Sequence, residues 1–194
     1  MGRVIIDMSP SLDGFIAGTG VSAEQPFGDA GLRLHRWLGL DDGRPEESDL
    51  QAAARMFETT GAVILGRYMY DVGIDKWGED GAFGRPCFVV THHPREPLAR
   101  GRTTFHFTNE SISAVIARAK QVAGKDRDVL VAGGADLARQ CLATRLVDEL
   151  RLHVVPVLLG EGTRLFDRAP PGTELELLDV STSRNATHLV YAIR

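Results

Sequence analysis

Three apolar runs of strand length each stop at a residue suited to an anion, and this repetition restricts the fold more than any other feature. Val129-Leu130-Val131-Ala132 has the length and β-branched content of a buried strand. Gly133 and Gly134 follow, and Leu137, Cys141 and Leu142 then fall at helical spacing. A strand, a glycine pair and a helix start make a tight turn. The same arrangement suits phosphate, because glycine lets the backbone approach closely and unpaired first-turn N–H groups face the anion. The pair alone is compatible with either use. Ala62-Val63-Ile64-Leu65 repeats the pattern and ends in Gly66-Arg67. An arginine there is either an ordinary surface residue or a bidentate partner for phosphate. The third run, Pro86 to Thr91, ends in His92-His93-Pro94-Arg95 and brings hydroxyl, imidazole and guanidinium groups to a strand end. Adjacent histidines could mark a metal, but no carboxylate or cysteine stands at ligand spacing, so no metal site is expected.

Around these runs the chain alternates strand and helix as far as about residue 145. Arg3 to Met8 reads as the first strand, and Asp13-Gly14 as a turn just past its carboxyl end, where open α/β sheets place ligands. Residues 18–48 lack regularity, which points to a functional loop or an overlooked helix. Within them Leu32, Leu34, Trp37, Leu38 and Leu40 can form a short amphipathic turn. Trp37 is then either cover for a sheet face or a flat wall of a substrate pocket. Ser48 and Gln51 are spaced as a capping box, opening a helix with Leu50, Ala53, Ala54 and Phe57 on one face and Gly61 as its stop. Thr103 to Thr108 alternates as a strand, and Ile112, Val115, Ile116 and Ala119 mark a helix ending near Gly124. Leu150 to Leu159 reads as a long strand, with Pro156 implying an edge or a bulge. Leu175–Thr182 and Thr187–Ile193 form a final hairpin. This order predicts an α/β fold in one domain over residues 1–194, with a mixed sheet and helices on both faces.

Composition narrows the function classes. A net charge of -4 and a pI near 5.9 leave no basic footprint for nucleic acid or an anionic membrane. No apolar run approaches the roughly 20 residues of a membrane span, and the N-terminus lacks a signal-peptide core. Cys87 and Cys141 stand in apolar surroundings without metal spacing, as buried free thiols. A reducing, cytoplasmic setting fits them.

Ser11-Leu12-Asp13-Gly14, Leu65-Gly66-Arg67, Val90-Thr91-His92, Ala132-Gly133-Gly134 and Leu146-Val147-Asp148-Glu149-Leu150 occur in that order, before Pro156 to Gly162 and Leu165-Phe166. Together they resemble the dihydrofolate-reductase-like family, and more closely the reductase domain of bacterial riboflavin-biosynthesis deaminase-reductases and its stand-alone relatives. The resemblance implies a three-layer α/β/α sandwich on a mixed, mostly parallel sheet of about eight strands, NADPH across the strand ends, and a homodimer. It implies that Gly133, Gly134 and the N–H of Ala135 hold the cofactor pyrophosphate. Gly66 would allow close approach, and Arg67, Thr91 and His92 would sit near the adenosine 2′-phosphate. Asp13 would lie at the nicotinamide end, as the candidate for proton delivery or substrate orientation.

The departures from that family concern the substrate. Its riboflavin members carry lysine where this chain has Asp7, and glutamate where it has Ala132. Asp7 reverses the charge at a position that would hold a phosphorylated sugar, so Asp7 and Trp37 are the candidate substrate-binding residues and the riboflavin intermediate is not the expected ligand. Dihydrofolate reductases carry threonine where this chain has Met69, and no motif aligns Glu58 with their pterin-binding acid. The expectation is an NADPH-dependent oxidoreductase acting on a small heterocyclic or carbonyl/imine substrate. The alternative is a nucleotide- or flavin-binding protein without turnover. Asp136, in the first turn of the phosphate-binding helix, would repel a pyrophosphate unless it faces solvent.

Overall fold

The computed structural model describes residues 2–167 and 170–194. In chain order its elements are β1 (Val4–Met8), β2 (Phe15–Ala17), a 3-10 helix (Gly31–Leu38), α1 (Glu47–Glu58), β3 (Thr60–Gly66), α2 (Arg67–Gly73), β4 (Pro86–Val90), β5 (Leu98–Arg100), β6 (Thr103–Thr108), α3 (Ile112–Ala123), β7 (Asp128–Gly133), α4 (Ala135–Ala143), β8 (Glu149–Val154), β9 (Thr163–Arg164), β10 (Leu175–Thr182) and β11 (Thr187–Ile193). Nine strands form one sheet in the order β10-β11-β8-β1-β7-β3-β4-β6-β5. The six strands from β8 to β6 run parallel, and β11, β10 and β5 add antiparallel edges. The mixed, mostly parallel sheet and the terminal hairpin are therefore as the sequence predicts. The ninth strand is β5, whose three residues are too few to show a period. Among the described residues no helix is long and apolar enough to cross a membrane.

Side chains alternate across the pleat and divide the interior in two. Val4, Ile6, Ala62, Ile64, Val129, Val131, Leu150 and Leu152 face α3 and α4, meeting Val115, Ile116 and Ala119 of one helix and Leu137, Ala138 and Cys141 of the other. Val63, Leu65, Cys87, Val89, Phe105 and Leu130 face the opposite way, towards Tyr70 of α2 and Met56 and Phe57 of α1. The central strands are thus covered on both faces, which is why they read as unbroken apolar runs. At the foot of the sheet Arg3 spans Asp128 and Glu149, and Asp128 also accepts hydrogen bonds from Arg3 N and Thr59 Oγ1.

Three local expectations shift. The capping box of α1 is made by Glu46 and Asp49, two residues before the predicted Ser48–Gln51 pair, and Ser48 instead donates to Thr182 O. The inward face follows Asp49, Ala52, Ala53, Met56 and Phe57, so Leu50 is 56% exposed and Ala54 also faces solvent. The cause is tertiary: Asp49 is drawn inward by His188, Ser183 and Asn185 of the terminal hairpin. β8 ends at Val154 rather than Leu159, since Pro156 has no N–H for a ladder. Within residues 18–48 the 3-10 helix supplies the missing element, burying Leu34 and Trp37.

Candidate active site

A cavity of about 760 Å³ runs along the carboxyl ends of β1, β7, β3 and β4, in the sheet's own strand order. That size falls within the roughly 300–1,000 Å³ of small-molecule and cofactor sites. Gly66 and Arg67 after β3, Thr91 and His92 after β4, and Gly133, Gly134 and Ala135 after β7 all line it, as does Asp7 near the end of β1. Adjacent strands lie about 4.8 Å apart, so these ends present a row of polar backbone to one elongated ligand.

Gly134 is the N-cap of α4 and supplies no side-chain cap, so the helix's first N–H groups have no partner from that residue. A Cβ placed on Gly134 would meet no atom within 4 Å, whereas Gly133 has φ 126° and a Cβ there would meet Met8 and Met69 at 3.4 Å. The two glycines therefore differ: one is demanded by backbone shape, the other borders open cavity. Gly66 caps α2 in the same manner. Arg67 reaches Asp71 through Nε at 2.7 Å and is only partly buried. Asp136 is 80% exposed, accepts from Gln140 and lies 3.6 Å from Arg139. It also lines the cavity, as does Gln140, so its charge is met in part by Gln140, Arg139 and solvent and stands beside the helix start.

Asp13 and Trp37 are not among the residues lining the cavity. The Asp13 carboxylate accepts from Ser11 Oγ at 2.5 Å, Gly160 N at 2.7 Å and Leu159 N at 3.1 Å. The Ser11 hydroxyl first, with these backbone N–H groups, pulls its pKa down to about 2. It ties the 11–14 turn to the segment after β8 and is a poor proton donor near neutral pH. Trp37 is fully buried behind the cavity wall; its Nε1 donates to Ser9 Oγ and its ring lies 4.0 Å from that of His153.

Behind Asp7 lies a polar row that no sequence motif announces. His153 Nε2 is 2.9 Å from Asp7 Oδ1, His153 Nδ1 is 2.7 Å from His188 Nδ1, and His188 Nε2 is 2.9 Å from Asp49 Oδ1. Burial opposes ionisation of Asp49, but hydrogen bonds from Glu46 N, Asn185, Ser183 and His188 outweigh it and hold its carboxyl below the usual range. Burial lowers the pKa of His188, with Asp49 acting in the opposite direction. His35, which also lines the cavity, is driven to about 4 by burial and stands neutral. The available signal was alternation: Glu149, Arg151 and His153 place polar groups on one face of β8, an odd pattern for a buried strand. Phe27 and Met56 complete the apolar wall and were likewise missed, because each lies far in sequence from the strand ends, whereas Leu38 beside them belongs to the amphipathic turn offered by the sequence as a pocket wall. Among the described residues no group of three or more metal-ligating side chains is present.

Comparison with known proteins agrees with this fold. The chain is 28% identical over 189 residues to the uncharacterized protein YwjB of Bacillus subtilis (strain 168), with 97% of each chain covered. Its fold matches that of a Shewanella sp. PV-4 protein crystallised as a candidate riboflavin biosynthesis protein, with a TM-score of 0.75, 18% identity and coverage of 100% and 99%. It also matches Enterococcus faecalis dihydrofolate reductase, complexed with NADP(H), with a TM-score of 0.61, 14% identity and coverage of 99% and 96%. Both likenesses show a dihydrofolate-reductase-like fold. Residues 3–189 match the RibD C-terminal domain, and the chain belongs to that reductase-like family.

Proposed function

We propose that the protein is an NADPH-dependent reductase that passes hydride to a small heterocyclic or carbonyl/imine substrate. The observation that supports this reading is the alignment of Gly66-Arg67, Thr91-His92 and Gly133-Gly134-Ala135 along one cavity, three strand ends that would each meet a different part of a dinucleotide. The residues fit the group. The start of α4 would take the pyrophosphate, with the open space beside Gly134 admitting it. Arg67, Thr91 and His92 would take the 2′-phosphate. NADPH, when bound, supplies the hydride; this chain binds it, orients it, and excludes water with the apolar wall of Met8, Ile16 and Phe27. The substrate end would be at β1, where Asp7, Leu38 and Met56 line the cavity.

Arg67→Ala tests the reading. Losing a charge-assisted contact to phosphate costs about 1.5–3 kcal/mol, so NADPH should bind about 10- to 150-fold more weakly while NADH changes little. Titration by Trp fluorescence quenching measures both. Equal losses for the two nucleotides would remove Arg67 from 2′-phosphate recognition. Failure of micromolar NADPH to bind the unaltered protein would remove the reductase itself.

A further inference from the structure

The large cavity occupies the carboxyl edge of the sheet, and the amino edge carries a repeated feature of its own. An arginine stands directly before each of four parallel strands: Arg3 before β1, Arg127 before β7, Arg85 before β4 and Arg102 before β6. Arg3 is answered by two buried carboxylates, Asp128 and Glu149. The other three are not. Arg85, Arg102 and Arg127 line a second cavity, of about 490 Å³, in which Asp80 is the one acidic group among the described residues. Arg102 meets Asp80 at 3.5 Å with both side chains mostly exposed, a pairing worth about 0–1 kcal/mol.

Arg85 is fixed in place by three carbonyls. Its Nε donates to Thr60 O at 2.5 Å, Nη1 to Phe83 O at 2.9 Å and Nη2 to Phe57 O at 2.8 Å. Arg127 Nη2 donates to the same Thr60 O at 2.8 Å, so two guanidiniums share one acceptor. These bonds hold the shape of the cavity wall, but a carbonyl is a dipole and leaves the cationic charge in place. Burial first, then the charges of Arg127 and Arg102, lower the pKa of Arg85. Like charges thus face one another where water is partly excluded. Among the described residues the three guanidiniums make no hydrogen bonds beyond these and the Asp80 contact, so most of their N–H groups have no protein partner. Capping of carbonyls accounts for Arg85 and for one N–H of Arg127, and it gives Arg102 nothing to do.

We infer that this amino-edge cavity binds a dianionic phosphate group, free or at the end of a small molecule. Three guanidiniums and one carboxylate leave a charge of +2, which a phosphate dianion balances and a carboxylate does not. Guanidiniums arriving from three strand starts can each take a different oxygen of a tetrahedral anion, whereas one planar fork already satisfies a carboxylate. A nucleic-acid strand suits the cavity poorly, because it is one concave spot on a chain of net charge -4. The seven residues of β3 put about 20 Å between this edge and Gly66. A phosphate here is therefore separate from a dinucleotide across the carboxyl ends, and the site does not depend on the reductase reading.

Inorganic phosphate and phenyl phosphate, titrated into the full chain at pH 8 and fixed ionic strength, test the site. In 1H–15N spectra the Nε signals of Arg85, Arg102 and Arg127 should follow one saturable curve. Arg102→Gln and Arg127→Gln should each weaken binding about fivefold or more, equivalent to about 1 kcal/mol. Arg102 makes no side-chain contact except with Asp80, so it decides the matter if Arg127→Gln does not fold. Lys125→Gln removes an exposed cation of the same edge that lies outside the cavity, and should leave the affinity unchanged. Arg67→Ala should leave the Arg85 curve unchanged as well, which separates this site from an anion at the start of α4. Tighter binding of phenyl phosphate assigns a phosphate ester with its organic part against Phe57, and equal binding assigns the free ion. Unmoved Arg85 and Arg102 signals, wild-type affinity in Arg102→Gln, equal weakening by Lys125→Gln, loss of the curve in Arg67→Ala, or acetate binding as tightly as phosphate overturns the site.

Discussion

Valine at Gly134 and alanine at Gly133 should separate a glycine that serves a ligand from one that serves the fold. Gly134 has φ -82° and ψ -165°, outside the left-handed region, and its added Cβ meets nothing within 4 Å. Replacing a glycine N-cap by an apolar residue costs about 0.5–1 kcal/mol. The lost freedom of glycine in the unfolded chain returns about 0.4–1 kcal/mol. The net change stays below about 1 kcal/mol, which for a chain of this size is less than about 4 °C in Tm. Gly133 at φ 126° occupies a region that L-residues rarely adopt, at a cost of about 1–3 kcal/mol, so Gly133→Ala should melt roughly 2–12 °C lower. Cofactor binding should follow the reverse order. The valine methyl groups would stand where an anion approaches α4, and losing one charge-assisted contact of about 1.5–3 kcal/mol weakens binding about 10- to 150-fold. Differential scanning fluorimetry and NADPH titration measure the two effects on the same samples. Gly134→Val that binds NADPH like the wild type refutes the role of the α4 start. Gly134→Val that melts as low as Gly133→Ala refutes the open-space geometry.

Asp13→Asn should change acid stability and not nucleotide affinity. A carboxyl held at about 2 contributes stability above its unfolded range near 4, lost as pH falls towards 2, so urea midpoints of the variant should flatten over that window; weakened NADPH binding would show instead a role in the cavity. Asp128→Ala removes the partner of Arg3 N, the Arg3 guanidinium and Thr59 Oγ1 at the foot of β7, and should cost about 2–4 kcal/mol in urea melts. Hydrogen bonds from Arg3 and Thr59 overcome burial and lower the Asp128 carboxyl, so this contribution too is present at neutral pH and fades in acid. Burial pushes the Cys141 thiol up to about 12 and raises Cys87 as well. At pH 8 a pKa near 12 leaves about one thiol in ten thousand as thiolate, so iodoacetamide should label neither cysteine in the native chain and both in urea.

The strand-end residues that line the cavity were largely legible in the sequence, whereas the surroundings of Asp7, Asp13 and Trp37 were not. Gly66-Arg67, Thr91-His92 and Gly133-Gly134 each sit directly after an apolar run, so local pattern suffices to put them at strand ends, and parallel strands carry their ends to one edge. Asp13 looked equally well placed, but three hydrogen bonds from residues both near and far in sequence engage its carboxylate. Trp37 was open between wall and cover, and burial beside His153 made it cover. The inward face of α1 includes Ala53 and Phe57 as expected but not Leu50 and Ala54, which face solvent. Asp49 points inward because His188, 139 residues away in sequence, meets it there.

What the sequence determined by itself is whatever depends on neighbours in the chain: the β/α alternation, the parallel centre, the antiparallel end and the anion-ready turns. Hydrophobic period and turn chemistry are local, and they are strong where a strand is buried on both faces. Tertiary structure alone decided what stands behind the Asp7 carboxylate. Asp7, His153, His188 and Asp49 come from β1, β8, β11 and α1, and only the strand order and the phase of α1 bring them within hydrogen-bond reach. A buried polar group is stable only beside its partners, and those partners are set by the packing of the whole sheet.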